Sequence, residues 1–164
     1  MELVHEEFSE RNPDIKIILQ SSSMKEDERE VFLEEFSDNG ETMVAFAVLG
    51  GIFSEGIDLI GDKLIGAIIV GVGLPQICFE RNIIRESFQE KNKLGYEYSY
   101  MYPGMNKVLQ AAGRVIRTEE DRGIILLIDD RFTTYKYKQL FPREWVGYRS
   151  ISWLGCLRFQ LKMH

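Results

Sequence analysis

The sequence predicts an α/β fold in three layers: a mostly parallel β-sheet with helices on both faces. Three observations carry the prediction. Apolar runs at 43–49, 64–72 and 123–128 have strand length and lack the polar alternation of a half-wet sheet. Stretches of helical spacing alternate with them, which implies strands joined by helical crossovers. The chain has 164 residues, of which 45% are apolar and 28% charged, so it can bury the core of one domain.

The elements follow in order. Leu3, Val4 and Phe8 stand at helical spacing, and Asn12-Pro13 stops that helix near residue 11. Ile15 to Leu19 is a β-branched run and reads as a strand. Ser21, Ser22 and Ser23 are candidate N-caps for an amphipathic helix over about 25–38, which Asn39-Gly40 ends. Met43 to Leu49 reads as a strand buried on both faces, and a glycine-rich loop, Gly50 to Asp62, follows. Leu64 to Val72 is a second buried strand. Phe79 to about Lys93 reads as a helix closed by Gly95, while Tyr96 to Tyr102 is ambiguous. Pro103 suits the first turn of a helix over about 103–117. Gly123 to Ile128 is a third strand, and Arg131 to Leu140 reads as a helix before Pro142. The tail after Trp145 allows a short strand or helix near 151–162. A wound α/β domain normally begins on a strand and this chain begins on a helix, so the expectation is a first strand upstream of Met1.

Composition narrows the function. The net charge is −6, but residues 1–60 carry 15 acidic and 4 basic groups, and the remainder 11 acidic and 16 basic. The overall acidity argues against a broad basic coat for nucleic acid, but leaves room for a groove that takes a strand at a few phosphates. No apolar run reaches a membrane span, and the first residues lack the basic and apolar regions of a signal peptide. Cys78 and Cys156 are too few for a closed zinc or iron–sulfur site, and a reducing, cytoplasmic setting is the default. His5 and His164 are isolated. Gly71-Val72-Gly73 lacks the third glycine of a dinucleotide fingerprint, and no Gly-x-x-x-x-Gly-Lys-Ser/Thr loop occurs.

Two elements can carry chemistry. On a wheel of about 100° per residue, Gln110, Arg114 and Arg117 fall within about 60° of one another. Val108, Leu109, Ala111, Ala112, Val115 and Ile116 take the opposite face. One face therefore packs while the other aims an amide and two guanidiniums along one line, an arrangement suited to an anion. A solvated polar face is the plainer alternative. The second element is the loop Gly50–Asp62, which follows a buried strand and is expected at the carboxyl edge of the sheet. Ser54 and the backbone there can hold phosphate oxygens, and Asp58 can accept from a sugar hydroxyl. A structural turn loop is the plainer alternative.

Taken together these residues form a recognisable series. Phe53-Ser54-Glu55-Gly56-Ile57-Asp58 is followed by a strand ending Gly73-Leu74-Pro75. Gln110-x-x-Gly113-Arg114-x-x-Arg117 comes next, then a strand ending Asp129-x-Arg131-Phe132. The series resembles the C-terminal motor domain of superfamily 2 helicases, specifically the DinG/XPD-like branch, over roughly residues 1–145. The first block resembles motif V and the second motif VI.

The resemblance implies a RecA-like domain, the second of two, spanning 1–164 and belonging to a longer chain. In such enzymes ATP and Mg²⁺ sit between the two domains, and the first domain holds the phosphate loop, the metal-binding acidic motif and any iron–sulfur cluster. Arg114 and Arg117 would be arginine fingers supplied in trans. Gln110, Gly56 and Asp58 would contact the nucleotide. Ser54 and Glu55 would couple it to single-stranded DNA, and the Asp129/Arg131 pair would be supporting. The implied partners are single-stranded DNA and the N-terminal motor domain. Two alternatives stay open: a non-catalytic adaptor with a degenerate motor fold, and a dinucleotide-binding enzyme.

Overall fold

The structure, a computed structural model, describes residues 1–21, 23–36, 41–50, 64–116, 121–153 and 156–162. It is a mixed α/β chain of two compact units, divided after Leu59.

The first unit contains α1 (Glu2–Arg11), β1 (Lys16–Leu19), α2 (Glu26–Glu34) and β2 (Met43–Phe46). β1 and β2 pair in parallel, Lys16 opposite Met43 through Leu19 opposite Phe46. A parallel pair needs a crossover, and α2 supplies it. Phe32 of α2 is buried against Ile18, Met24, Leu33, Phe36 and Ala45, so the small core lies between crossover helix and strands. His5 and Phe8 of α1 meet the Phe46 ring edge-on, but Leu3 and Val4 stay exposed. Ser21 and Ser23 do not cap α2. Lys25 is the N-cap, and the Glu28 carboxylate accepts from its N–H at 2.8 Å, which is half of a capping box. The Asn39-Gly40 stop lies outside the described residues. β2 ends at Phe46, three residues before the expected Leu49.

The second unit contains β3 (Gly66–Val70), α3 (Phe79–Asn92), a π-helical turn (Glu97–Met101), α4 (Tyr102–Ala112) and β4 (Ile124–Ile128). A 3-10 turn (Asp130–Thr133), the one-turn α5 (Tyr135–Lys138), a second 3-10 turn (Arg143–Trp145), β5 (Arg149–Trp153) and β6 (Cys156–Lys162) complete it. The sheet order is β3-β4-β6-β5. β3 and β4 are parallel, whereas β6 runs antiparallel to β4 and forms a hairpin with β5. The tail is therefore strand, and this sheet is mixed where a mostly parallel one was expected. A hairpin needs only a short turn and can close a sheet without a crossover helix.

The core of this unit joins β3 and β4 to α4. Ile69, Ile125 and Leu127 point to one face, where Met105, Val108 and Ala112 of α4 are buried. On the other face Ile68 and Val70 are 69% and 71% exposed, so β3 is buried on one face and not on both. Phe132, Tyr137 and Trp145 bury the segment after β4. The expected helix over 131–140 is broken at Thr134, whose extended backbone (φ −76°, ψ 148°) separates the 3-10 turn from α5. α3 ends at Lys93 in the left-handed region (φ 64°), not at Gly95.

Candidate functional site

α4 carries Pro103 in its first turn, a position where proline is tolerated. Its apolar stripe is the expected one: Val108, Ala112 and Val115 are buried, while Asn106 and Gln110 are exposed. The helix stops earlier than its spacing predicts. Gly113 still donates to the Leu109 carbonyl at 2.8 Å. Arg114 then donates to Ala111 at 3.2 Å and Val115 to Ala112 at 3.1 Å, both three residues back. Tightening of this kind is common at helix ends, and glycine followed by β-branched residues favours it. The wheel that aligned Gln110 with Arg114 therefore holds only as far as Ala112. Arg114 sits in the closing turn, half-buried.

That turn lies at the amino edge of the β3–β4 pair. Ile124 N–H donates to the Ile65 carbonyl at 3.1 Å, just ahead of β3. A Cβ on Gly123 would come 2.3 Å from Val115 Cγ1, so the missing side chain is what lets Val115 pack there. The usual α/β rule places ligands at the carboxyl edge. Gly113 and Arg114 stand at the opposite end.

The carboxyl edge is built differently. Gly71 N–H donates to the Ile128 carbonyl at 3.0 Å, and Gly71 and Gly73 turn the chain with φ of 84° and 61°. Asp129, at the end of β4, accepts from Arg131 Nε at 2.8 Å, from Arg131 Nη2 at 2.7 Å and from its backbone N–H at 2.9 Å. The Arg131 hydrogen bonds hold the Asp129 carboxyl below the usual carboxylate range despite its partial burial. The two charges of the pair face each other. Beside it, burial above all pushes the Tyr137 phenol up to about 12, with the Tyr96 hydroxyl adding to the shift.

Of the expected site residues, Gln110 and Arg114 share one helix and its closing turn. Ser54, Glu55, Gly56, Asp58 and Arg117 lie outside the described residues. Among the described residues, no three His, Cys, Asp or Glu side chains are placed to hold a metal ion. No helix among them is long and apolar enough to cross a membrane. Sequence reasoning gave no role to Glu97 or Lys136, which are joined at 2.9 Å across 39 residues. A lone glutamate in an aromatic run carries no local signal for that pair.

The Gln-x-x-Gly-Arg turn that closes α4 lies within a mixed α/β chain. The chain belongs to the helicase C-terminal domain family, whose model matches residues 1–147. It is 29% identical over 112 residues to the general transcription and DNA repair factor IIH helicase subunit XPD of Dictyostelium discoideum, covering 66% of this chain and 14% of that protein. A probable ATP-dependent helicase of Methanocaldococcus jannaschii is 27% identical over 123 residues, 70% of this chain and 17% of the relative. The ATP-dependent DNA helicase DinG of Photobacterium profundum is 31% identical over 117 residues, 68% and 16% respectively. The chain thus spans less than a fifth of the length of these relatives.

Proposed function

We propose that this chain is the second motor domain of an ATP-dependent DNA helicase and completes the ATP site of a partner domain with arginines. The observation that carries the reading is the Gln110–Arg114 turn at the amino edge, on a helix whose other face is core. A helix committed to the core on one side presents its polar end at a fixed height, which is what a trans-acting charge needs. Arg114 and Arg117 stabilise charge on the γ-phosphate, and Gln110 joins the turn to the nucleotide. Gly56 and Asp58 of the preceding loop contact the nucleotide, with Asp58 at the ribose. Ser54 and Glu55 couple nucleotide state to single-stranded DNA. Mg²⁺, and any iron–sulfur cluster, belong to the rest of the full-length protein. The domain is a RecA-like three-layer sandwich, and ATP-driven closing and opening of two such domains moves DNA.

Arginine fingers are worth about 10³–10⁵ in rate, or about 4–7 kcal/mol of barrier. In the full-length protein Arg117→Ala is expected to lower ATP turnover at least about 10³-fold with the fold intact, measured by steady-state hydrolysis and circular dichroism. Turnover at the wild-type level would refute the role.

A further inference from the structure

α4 is entered through an uncommon element. The Tyr102 N–H donates to the Glu97 carbonyl, five residues back, so the turn Glu97–Met101 is π and not α. Such turns hold an extra residue in poorer geometry and persist where neighbours fix them. Here the neighbours converge on the turn from two directions. Lys136 Nζ of α5 donates to the Glu97 carboxylate at 2.9 Å, and the Glu97 side chain is only 11% exposed. From α3, Arg81 donates to the Ser99 carbonyl at 3.3 Å, and Phe88 stacks on Tyr98 with ring centroids 4.1 Å apart. The buried Ser99 Oγ has no hydrogen-bond partner among the described residues, a cost that the surrounding packing must offset.

Glu97 therefore does two things at once. Its carbonyl closes the π turn, and its carboxylate ties that turn to the segment just past Asp129 and Arg131. α4 then runs from the carboxyl edge to the amino edge, about 16 Å for its length. At its start Gly104 is pressed on the chain after β3, where a Cβ would come 2.6 Å from the Val72 carbonyl oxygen. A slide of one residue would put a side chain into that contact.

We propose that Glu97 is a positioning residue: clasped by Lys136, it holds the π turn and so fixes the register of α4, and with it Gln110 and Arg114. The inference rests on the nucleotide role proposed above for those residues. Relaxation of the π turn to an α turn removes one residue, worth about 1.5 Å and about 100° of helix. Misplacement of a catalytic group by about 1 Å can cost about 10²-fold in rate. The clasp also gives the carboxyl edge a mechanical line to the arginine turn, since α5 moves with whatever moves the end of β4.

The test is a double-mutant cycle in the full-length protein, with Glu97→Gln, Lys136→Met and both together, and Arg117→Ala as reference. Each single variant and the double are expected to lower kcat for ATP by one common factor, about 10-fold or more, with KM for ATP unchanged. A pair that served stability alone would lower the melting temperature and leave kcat of the folded protein intact. Wild-type kcat in both single variants, beside an inactive Arg117→Ala, would overturn the clasp and spare the arginine reading. Losses that multiply in the double would also overturn it. An active Arg117→Ala would instead bring down the arginine reading, and the clasp's purpose with it. Should Glu97→Gln fail to fold, Lys136→Met alters a side chain that is 70% exposed and carries the same expectation.

Discussion

The Asp129–Arg131 pair shows how one residue can brace a sheet edge. Asp129 sits 15% exposed just past the end of β4, and a carboxylate there would be costly without donors. Arg131 supplies three, two from its guanidinium and one from its backbone. Because the folded carboxyl titrates below its ordinary value of 3.8, its contribution is complete only well above that ordinary value. It is lost as the pH falls through the lowered value. Asp129→Asn is expected to cost about 1 kcal/mol at pH 7, less than the roughly 1.5–3 kcal/mol of a charged hydrogen bond, since Arg131 is 44% exposed and screened. The gap between wild type and variant should close as the pH falls through that lowered value, in urea unfolding followed across pH. A gap of constant size would show that the pair acts by shape and not by charge.

Among the elements, those set by period and side-chain character were legible, and those set by tertiary contact were not. Pro103 marks the start of α4, apolar runs identify β3 and β4, and a β-branched run identifies β1. The π turn has no sequence period of its own, because the contacts that hold it come from Arg81, Phe88 and Lys136, far along the chain. Glycine misled in one place. Gly95 was expected to end α3, yet Lys93 takes the left-handed position, and Gly95 is needed because a Cβ would lie 2.3 Å from the Arg85 carbonyl oxygen. Gly104 belongs to the same kind. Its Cβ would strike backbone and not a flexible side chain, so Gly104→Ala must push α4 off the chain that follows β3. A cost of about 1–3 kcal/mol is expected, as for other overpacked sites, read as a lower urea midpoint at unchanged slope. A midpoint equal to wild type would mean that α4 is not seated on the Val72 carbonyl as tightly as its geometry implies.

For the whole molecule, the order of short motifs was more informative than any single one, because order and spacing together restrict the family where each block alone permits a plain loop or a solvated face. What the motifs did not reveal is which sheet edge each serves. Rules for α/β ligands point to the carboxyl edge, while the end of α4 lies at the amino edge, a consequence of a helix that must run antiparallel to the strands it crosses between. On the proposed reading, the arginine turn acts on a phosphate that another domain binds, because the Gly-x-x-x-x-Gly-Lys-Ser/Thr pattern does not occur in this sequence. The purified chain is therefore expected to hydrolyse ATP at background rate. Adding the separately produced phosphate-loop domain of the full-length protein should restore measurable turnover, and should fail to do so when this chain carries Arg117→Ala. Activity from the chain alone would mean that its own residues cradle the triphosphate, and the shared-site reading would fall. No restoration by the wild-type chain, with both parts folded and mixed above their affinity, would favour the adaptor reading, in which the fold is kept for binding and the arginines have lost their phosphate.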